Sequence, residues 1–172
     1  SQFGINAQNT FSATGDLSIS VADVTGGLHG VSVTNNGRGA LSVTSTGVVS
    51  GQGGMGIQAN NGANAIDDLT ITAVDVTGGE VGIRAVHQGY GALSVRSTGA
   101  VTGALGHGIE VINTKMVNPL HHLTGAKTLL PDGLEEFFHF RLGQAQQVSF
   151  TSRCRHGFTL TRKLSLSERL PR

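Results

Sequence analysis

The chain has 172 residues, of which 38% are apolar, so it is long enough for one ordinary domain with a buried core. Its net charge of +1 says little about partners, but its single cysteine excludes an intramolecular disulfide, and no apolar run approaches the roughly 18 residues of a membrane-spanning helix. Glycine is abundant, aromatics are scarce and tryptophan is absent, a composition that points to many short strands and turns.

The average conceals a division. Before Lys115 the only fixed cations are Arg38, Arg84 and Arg96, set against seven acids; from Lys115 onward nine Lys or Arg face four acids. All three prolines, the cysteine and five of seven phenylalanines fall in this second part. The shift predicts a repeat region over 1–114 and a non-repetitive basic tail over 115–172. Ser1 is neither an initiator methionine nor the start of a cationic segment leading into an apolar run, as expected of an internal fragment or a processed chain.

From the first residues onward the sequence repeats itself. GINAQN at Gly4 is followed by GVSVTN at Gly30, GIQANN at Gly56, GIRAVH at Gly82 and GIEVIN at Gly108, each step being 26 residues. A second apolar pair follows in each of the first four units: Leu17 and Ile19, Leu41 and Val43, Leu69 and Ile71, Leu93 and Val95. A third segment carries Val24, Val49, Val76 and Val101. The second and third segments shift slightly between odd and even units, so the closest match spans 52 residues: GALSVTSTGVVSG at 39–51 returns as GALSVRSTGAVTG at 91–103.

Three alternating segments per unit, separated by Gly or Asn turns, are strand chemistry with a period of two. One unit cannot bury a face alone, but stacked units lay Ile on Ile and Leu on Leu. The predicted fold is all-β: a right-handed parallel β-helix, or solenoid, of about four 26-residue coils with three strands each. Its inward ladders are Ile5, Val31, Ile57, Ile83 and Ile109 with the residues two further on, the Leu and Ile/Val pairs, and the third-strand valines with Ala22 and Val74. Ser18, Ser42, Thr70 and Ser94 face water.

A column of Asn9, Asn35, Asn61, His87 and Asn113 ends the first strand of each unit. Asn suits a corner because its side chain bonds nearby backbone groups and its backbone tolerates the left-handed region. His87 reads as a tolerated variant in that column. Arg84 and Glu110 occupy equivalent outward positions on adjacent coils and are placed to pair. Coils spaced ~4.7–4.9 Å apart make a rod of roughly 20 Å, whose ends expose strand edges open to end-to-end association.

The pattern GIxAxN…GALSVxSTGxVxG…GI resembles the repetitive passenger region of Gram-negative autotransporters, the type V secreted surface proteins, over about residues 3–114. The resemblance implies a β-helix exported through a C-terminal outer-membrane barrel and displayed at the cell surface as an adhesin or stalk. Ten-residue barrel strands with aromatic girdles do not occur in this sequence, so the translocating barrel is not part of it. The cysteine-free repeats agree with passage across the outer membrane in an unfolded state.

Sharper chemical readings each meet a blander one. GQGGMG at 51–56 satisfies GxGxxG, but it closes one strand and opens another, with no helix N-terminus for a phosphate. Asp23 and Asp75 lie two rungs apart, ~9–10 Å, near the spacing of an inverting glycosidase pair. Val48 and Ala100 continue their column, which favours a solvated face. Asp67 and Asp68 read as solvent-facing turn residues. His29 and His107 share a position that Met55 and Val81 fill in the intervening coils, and the adjacent His121 and His122 point opposite ways in a strand, so neither pair suits a metal. Cys154, flanked by cations, reads as a free surface thiol without nucleophile machinery.

In the tail, Pro131, Asp132 and Glu135 form a capping box before Leu134, Phe137, Phe138 and Leu142, predicting a helix that covers the open end. Val148, Phe150, Ser152 and Cys154, then Gly157, then Phe158 and Leu160 predict a hairpin. A frameshifted or recombined gene end accounts equally well for the abrupt change of composition. The tail's cations lack the aromatic interleaving of a nucleic-acid module. The sequence thus points to a non-enzymatic surface segment with no cofactor, metal or catalytic residue, and with host-cell or neighbouring-cell glycans or proteins as partners. A carbohydrate-active β-helix and a pure spacer are the alternatives.

Overall fold

The computed structural model describes residues 1–114 together with the backbones of four later strands, β14 (His121–Thr124), β15 (Phe138–Leu142), β16 (Gln147–Arg153) and β17 (Thr159–Ser165). The first 114 residues form a parallel β-solenoid of about four turns with three strands per turn. Coil 1 comprises β1 (Phe3–Asn9), β2 (Leu17–Val21) and β3 (Val24–Gly26); coil 2 comprises β4 (His29–Asn35), β5 (Leu41–Ser45) and β6 (Val48–Gly51). Coil 3 holds β7 (Ile57–Asn61), β8 (Leu69–Ala73) and β9 (Asp75–Gly78). Coil 4 holds β10 (Ile83–His87), β11 (Leu93–Ser97) and β12 (Val101–Gly103), and β13 (Ile109–Asn113) begins a fifth.

Equivalent strands stack into three parallel sheets, and the register is the one the repeat predicts. Ile5, Val31, Ile57, Ile83 and Ile109 are successive partners in the first sheet. Leu17, Leu41, Leu69 and Leu93 are partners in the second, and Val24, Val49, Val76 and Val101 in the third. A parallel stack of like residues leaves no freedom to slip by one, because a slip would turn every apolar side chain outward.

Every coil is 26 residues long, but odd and even coils spend that length differently. Twelve positions separate Ile5 from Leu17 and Ile57 from Leu69, against ten between Val31 and Leu41 or Ile83 and Leu93. The even coils recover the difference as one extra residue at each of the other two corners. The strands therefore stay in register while the corners alternate, which is why the best sequence match spans two coils.

The interior is a continuous apolar column, with Val31, Leu41, Ile57, Leu69, Ile83 and Leu93 all at 0% exposure. Coil 1 supplies the same pattern at its open end, where Ile5, Leu17, Ile19 and Val24 are only partly buried. Trimming one methylene from Ile83 (Ile83→Val) is expected to cost about 0.5–1.5 kcal/mol, and the same change at Ile5 distinctly less. Urea unfolding of the two variants measures this; equal costs would mean that the first coil is covered.

Two expectations need correcting. Ala22 is exposed and Val74 only half-buried, so neither belongs to the inward third-strand ladder. The second strand instead runs one alternation further, and Val21, Ser45, Ala73 and Ser97 face inward before the chain turns. The corner lies between residues 21 and 24, and strand parity does not carry across it.

The second correction concerns the tail. Phe138–Leu142, assigned above to the end of a capping helix, is strand β15 and pairs parallel with β13, Ile109 opposite Phe138. Phe138, Phe140 and Leu142 alternate with His139 and Arg141, and that period of two competes with the helical reading of the same residues. The capping box at Pro131, Asp132 and Glu135 lies outside the described residues, as do Gly157 and Phe158. Strands β16 and β17 pair antiparallel on either side of the expected hairpin turn, and β14 pairs with β11 and β16.

Candidate functional surface

The polar chemistry of the solenoid is concentrated at its corners. At the first corner the Asn column is buried, with Asn35, Asn61, His87 and Asn113 at 0% exposure. Asn9 Nδ2 donates to Asn35 Oδ1 at 3.3 Å, and Asn35 Nδ2 donates to Asn61 Oδ1 at 2.8 Å, so the amides form a ladder along the rod. Each amide also holds the carbonyl that closes its own corner: Asn35 reaches Gly39 O at 2.8 Å, and Asn61 reaches Asp67 O at 3.3 Å. A buried amide keeps its place only if its donors and acceptors are met, and this geometry meets them.

His87 does the work of Asn35 in the next even coil. Its Nε2 lies 2.8 Å from Gly91 O, the carbonyl equivalent to Gly39 O. A carbonyl can only accept, so Nε2 carries the proton. Among the metal candidates, His29 is likewise engaged: its Nδ1 accepts the Met55 N–H at 3.0 Å, and its ring packs 5.5 Å from Phe3. His29 and His107 share a column with Phe3, Met55 and Val81, as their spacing predicts. Among the described residues no three His, Cys, Asp or Glu side chains gather as metal ligands would. His121 and His122 are adjacent in β14, and Cys154 lies outside the described residues.

The aspartates have a role the sequence reading missed. Asp23 Oδ1 accepts the backbone N–H of Val48, and Asp75 Oδ1 that of Ala100, each at 2.7 Å. Asp16 Oδ1 does the same for Ala40 at 2.8 Å, and Asp68 Oδ1 for Ala92 at 2.7 Å. These four odd-coil carboxylates thus each accept a backbone N–H of the even coil above. Asp23 is exposed, as the solvated-face reading expects, and Asp75 half-buried, and both join coils. Asp67 and Asp68 are exposed as expected, and the Asp68 carboxylate is used.

Glycine makes room for these contacts. A Cβ on Gly47 would lie 2.2 Å from Asp23 Oδ1, and one on Gly99 would lie 2.2 Å from Asp75 Oδ1. The glycine of STG and the aspartate of DVTGG are therefore partners across one rung. A signal was present in the sequence: both Asp16/Asp68 and Asp23/Asp75 recur at the two-coil spacing, as do Gly47 and Gly99. The GQGGMG stretch is corner material too, connecting β6 directly to β7; a Cβ on Gly51 would lie 2.0 Å from Met55 O.

Outside the corners, the broad faces are short polar columns. The second sheet presents Ser18, Ser42, Thr70 and Ser94 rung by rung, and the third presents Thr25, Ser50, Thr77 and Thr102. On the first sheet Ser32 Oγ lies 3.4 Å from Gln58 Oε1, and Arg84 Nε lies 3.2 Å from Glu110 Oε2. The Arg84–Glu110 pair forms as its spacing predicts and is worth ~0–1 kcal/mol, a small aid to register.

Among the described residues, large apolar side chains break this polar surface at every corner: Leu105, Leu28 and Val48 at the other two, and three at the first. Phe11 is 74% exposed, Ile66 49% and Tyr90 47%. Arg38, Ile66 and Tyr90 follow one another up that corner, linked through Arg38 N to Ala13 O, Ile66 N to Arg38 O and Tyr90 N to Ala65 O. The chain matches no protein-family model, no curated protein and no solved structure. The solenoid stands on its own geometry, and the likeness to autotransporter passengers is a likeness of repeat pattern.

Proposed function

We propose that this chain is a segment of an exported β-solenoid displayed at the surface of a Gram-negative cell, serving adhesion or acting as a stalk, without catalysis. The observation that carries the reading is the division of labour among its polar groups. The corner carboxylates and amides are committed to holding coils together, while the outward columns are short hydroxyl and amide side chains of low charge. Such a surface suits weak, repeated contact along a rod rather than one reactive pocket.

The carbohydrate-active alternative is less favoured, because Asp23 and Asp75 each already accept a backbone N–H through one carboxylate oxygen. Adhesion is favoured over a bare spacer by the first corner, where Phe11, Ile66 and Tyr90 stand out beside Arg38. Aromatic and Arg side chains carry much of the energy at protein interfaces. The purified protein is expected to bind a subset of glycans or cell-surface proteins on arrays and whole cells. Tyr90→Ala should weaken that binding by about tenfold. A protein that binds nothing, alone or extended by further native coils, would leave the spacer reading standing and end the adhesive one.

A further inference from the structure

We propose that the open face of coil 1 is a docking surface for a coil of the even type joined ahead of it, and that it rejects an odd coil. This goes beyond the functional reading above, because it concerns how coils select their neighbours, whatever the finished rod binds.

The joint between coils 2 and 3 supplies the template. There Gly62 N donates to Asn35 O at 2.7 Å, Ile66 N donates to Arg38 O at 3.0 Å, and Leu41 N donates to Asp68 O at 3.0 Å. Moving down two coils, the corresponding groups of coil 1 are Thr10 N, Thr14 N and Asp16 O, and none of them is bonded to another described residue in this way. The apolar side chains above this edge, Ile5, Leu17 and Val24, are half-buried where their counterparts in coil 3 are fully buried. Coil 1 thus presents the underside of coil 3 without a coil 2 beneath it.

An even coil fits that underside and an odd one does not. In the register of the second sheet Asp16 stands opposite Ala40, so an odd coil placed below would set its own aspartate under Asp16, one rung of ~4.7–4.9 Å away. Like charges directly opposite one another are unfavourable. At the second corner the even coils use Gly47 and Gly99 to admit the carboxylate from below, whereas coil 1 has Ala22 at that position. A Cβ on Gly47 would lie 2.2 Å from the Asp23 carboxylate oxygen, so a coil whose corner carries a side chain there leaves the carboxylate no comparable room. Charge and shape therefore enforce alternation at two separate corners.

The test joins residues 29–54, an even coil, directly ahead of Phe3 in the full chain, and compares it with a second protein carrying residues 55–80, an odd coil, at the same place. Amide hydrogen exchange at Thr10 and Thr14 is the readout, with Leu41 and Leu69 as internal controls that the rest of the solenoid remains folded. Under the even coil, exchange at Thr10 and Thr14 should slow by about tenfold or more relative to the unextended chain, while under the odd coil it should stay unchanged. Equal protection by both coils, or by neither, overturns the proposal. So does an unextended chain that dimerises in size-exclusion chromatography with Thr10 and Thr14 already protected, since a second copy would then be the natural occupant.

Discussion

Alanine in place of Gly78 is expected to abolish the folded solenoid, or to leave it destabilised by about 4 kcal/mol or more, the range reached only when a substitution creates a severe clash or an unmet buried group. Gly78 ends β9 at the tightest corner of coil 3 and is fully enclosed. A Cβ there would lie 1.9 Å from Val81 O and 2.5 Å from Val81 C, both backbone atoms of the same turn, and 2.9 Å from Gly54 O of the coil below. No rotamer can relieve a collision between a Cβ and the main chain. Relief requires the corner to open, and an opened corner breaks the hydrogen bonds of Gly79 N to Gly51 O and Glu80 N to Gly54 O. Gly15→Ala is the matched control, because a Cβ at Gly15 meets nothing within 4 Å. Its effect should fall within about 0.5 kcal/mol of zero. Soluble yield and the urea midpoint by circular dichroism check both variants; similar midpoints would refute the steric account of the VTGG corner.

The difference between those two glycines shows where the sequence was legible. Strands were, because a solenoid repeats each inward residue on the next rung, and five copies of G-I/V-x-A/V specify the register of the first sheet. Corners were less so. The parity of a strand ends where the chain turns, so extrapolating alternation back from Val24 placed Ala22 inside when it is outside. The corner aspartates are exposed as expected, Asp75 only half so, but their bonds between coils escape a reading by sequence for a related reason. An acid beside a turn reads as solvated when taken alone, and its function appears only when the N–H of a residue 24 or 25 positions later is brought above it. Alternation of corner length between odd and even coils was visible as a shift in spacing, but the carboxylate bonds that accompany it at the odd-to-even joints are a property of stacking. The tail had no repeat to average over, so its Phe-rich stretch fitted a helix and a strand equally, and β15 resolves only part of it.

Leucine in place of Asn35 is the second large effect, expected to cost about 3 kcal/mol or more, because three buried polar groups lose their partner at roughly 1–3 kcal/mol each. Asn35 Nδ2 serves Gly39 O and Asn61 Oδ1, both at 2.8 Å, and its Oδ1 accepts Gly37 N at 3.1 Å and Asn9 Nδ2 at 3.3 Å. Leucine keeps the branched shape of asparagine but is bulkier, so any crowding in the enclosed column adds to the loss of the hydrogen bonds. Gly37 N, Gly39 O and Asn61 Oδ1 cannot turn to water instead, since the column is enclosed at Asn35 and Asn61. Asn9→Leu should cost far less, about 1 kcal/mol, because Asn9 lies at the half-open first coil and its bonds to Gly15 O and Asn35 Oδ1 are long, 3.5 and 3.3 Å. His87→Asn supplies the converse test. It restores the residue used at the other rungs, keeps a donor for Gly91 O, and allows the amide ladder to continue from Asn61 toward Asn113. Its unfolding midpoint should match or exceed that of the parent. If Asn35→Leu proves neutral, the column is held by packing and not by its amides. If His87→Asn is strongly destabilising while Asn35→Leu behaves as expected, the ring at that rung fills space that an amide leaves empty, and the even coils are then not interchangeable.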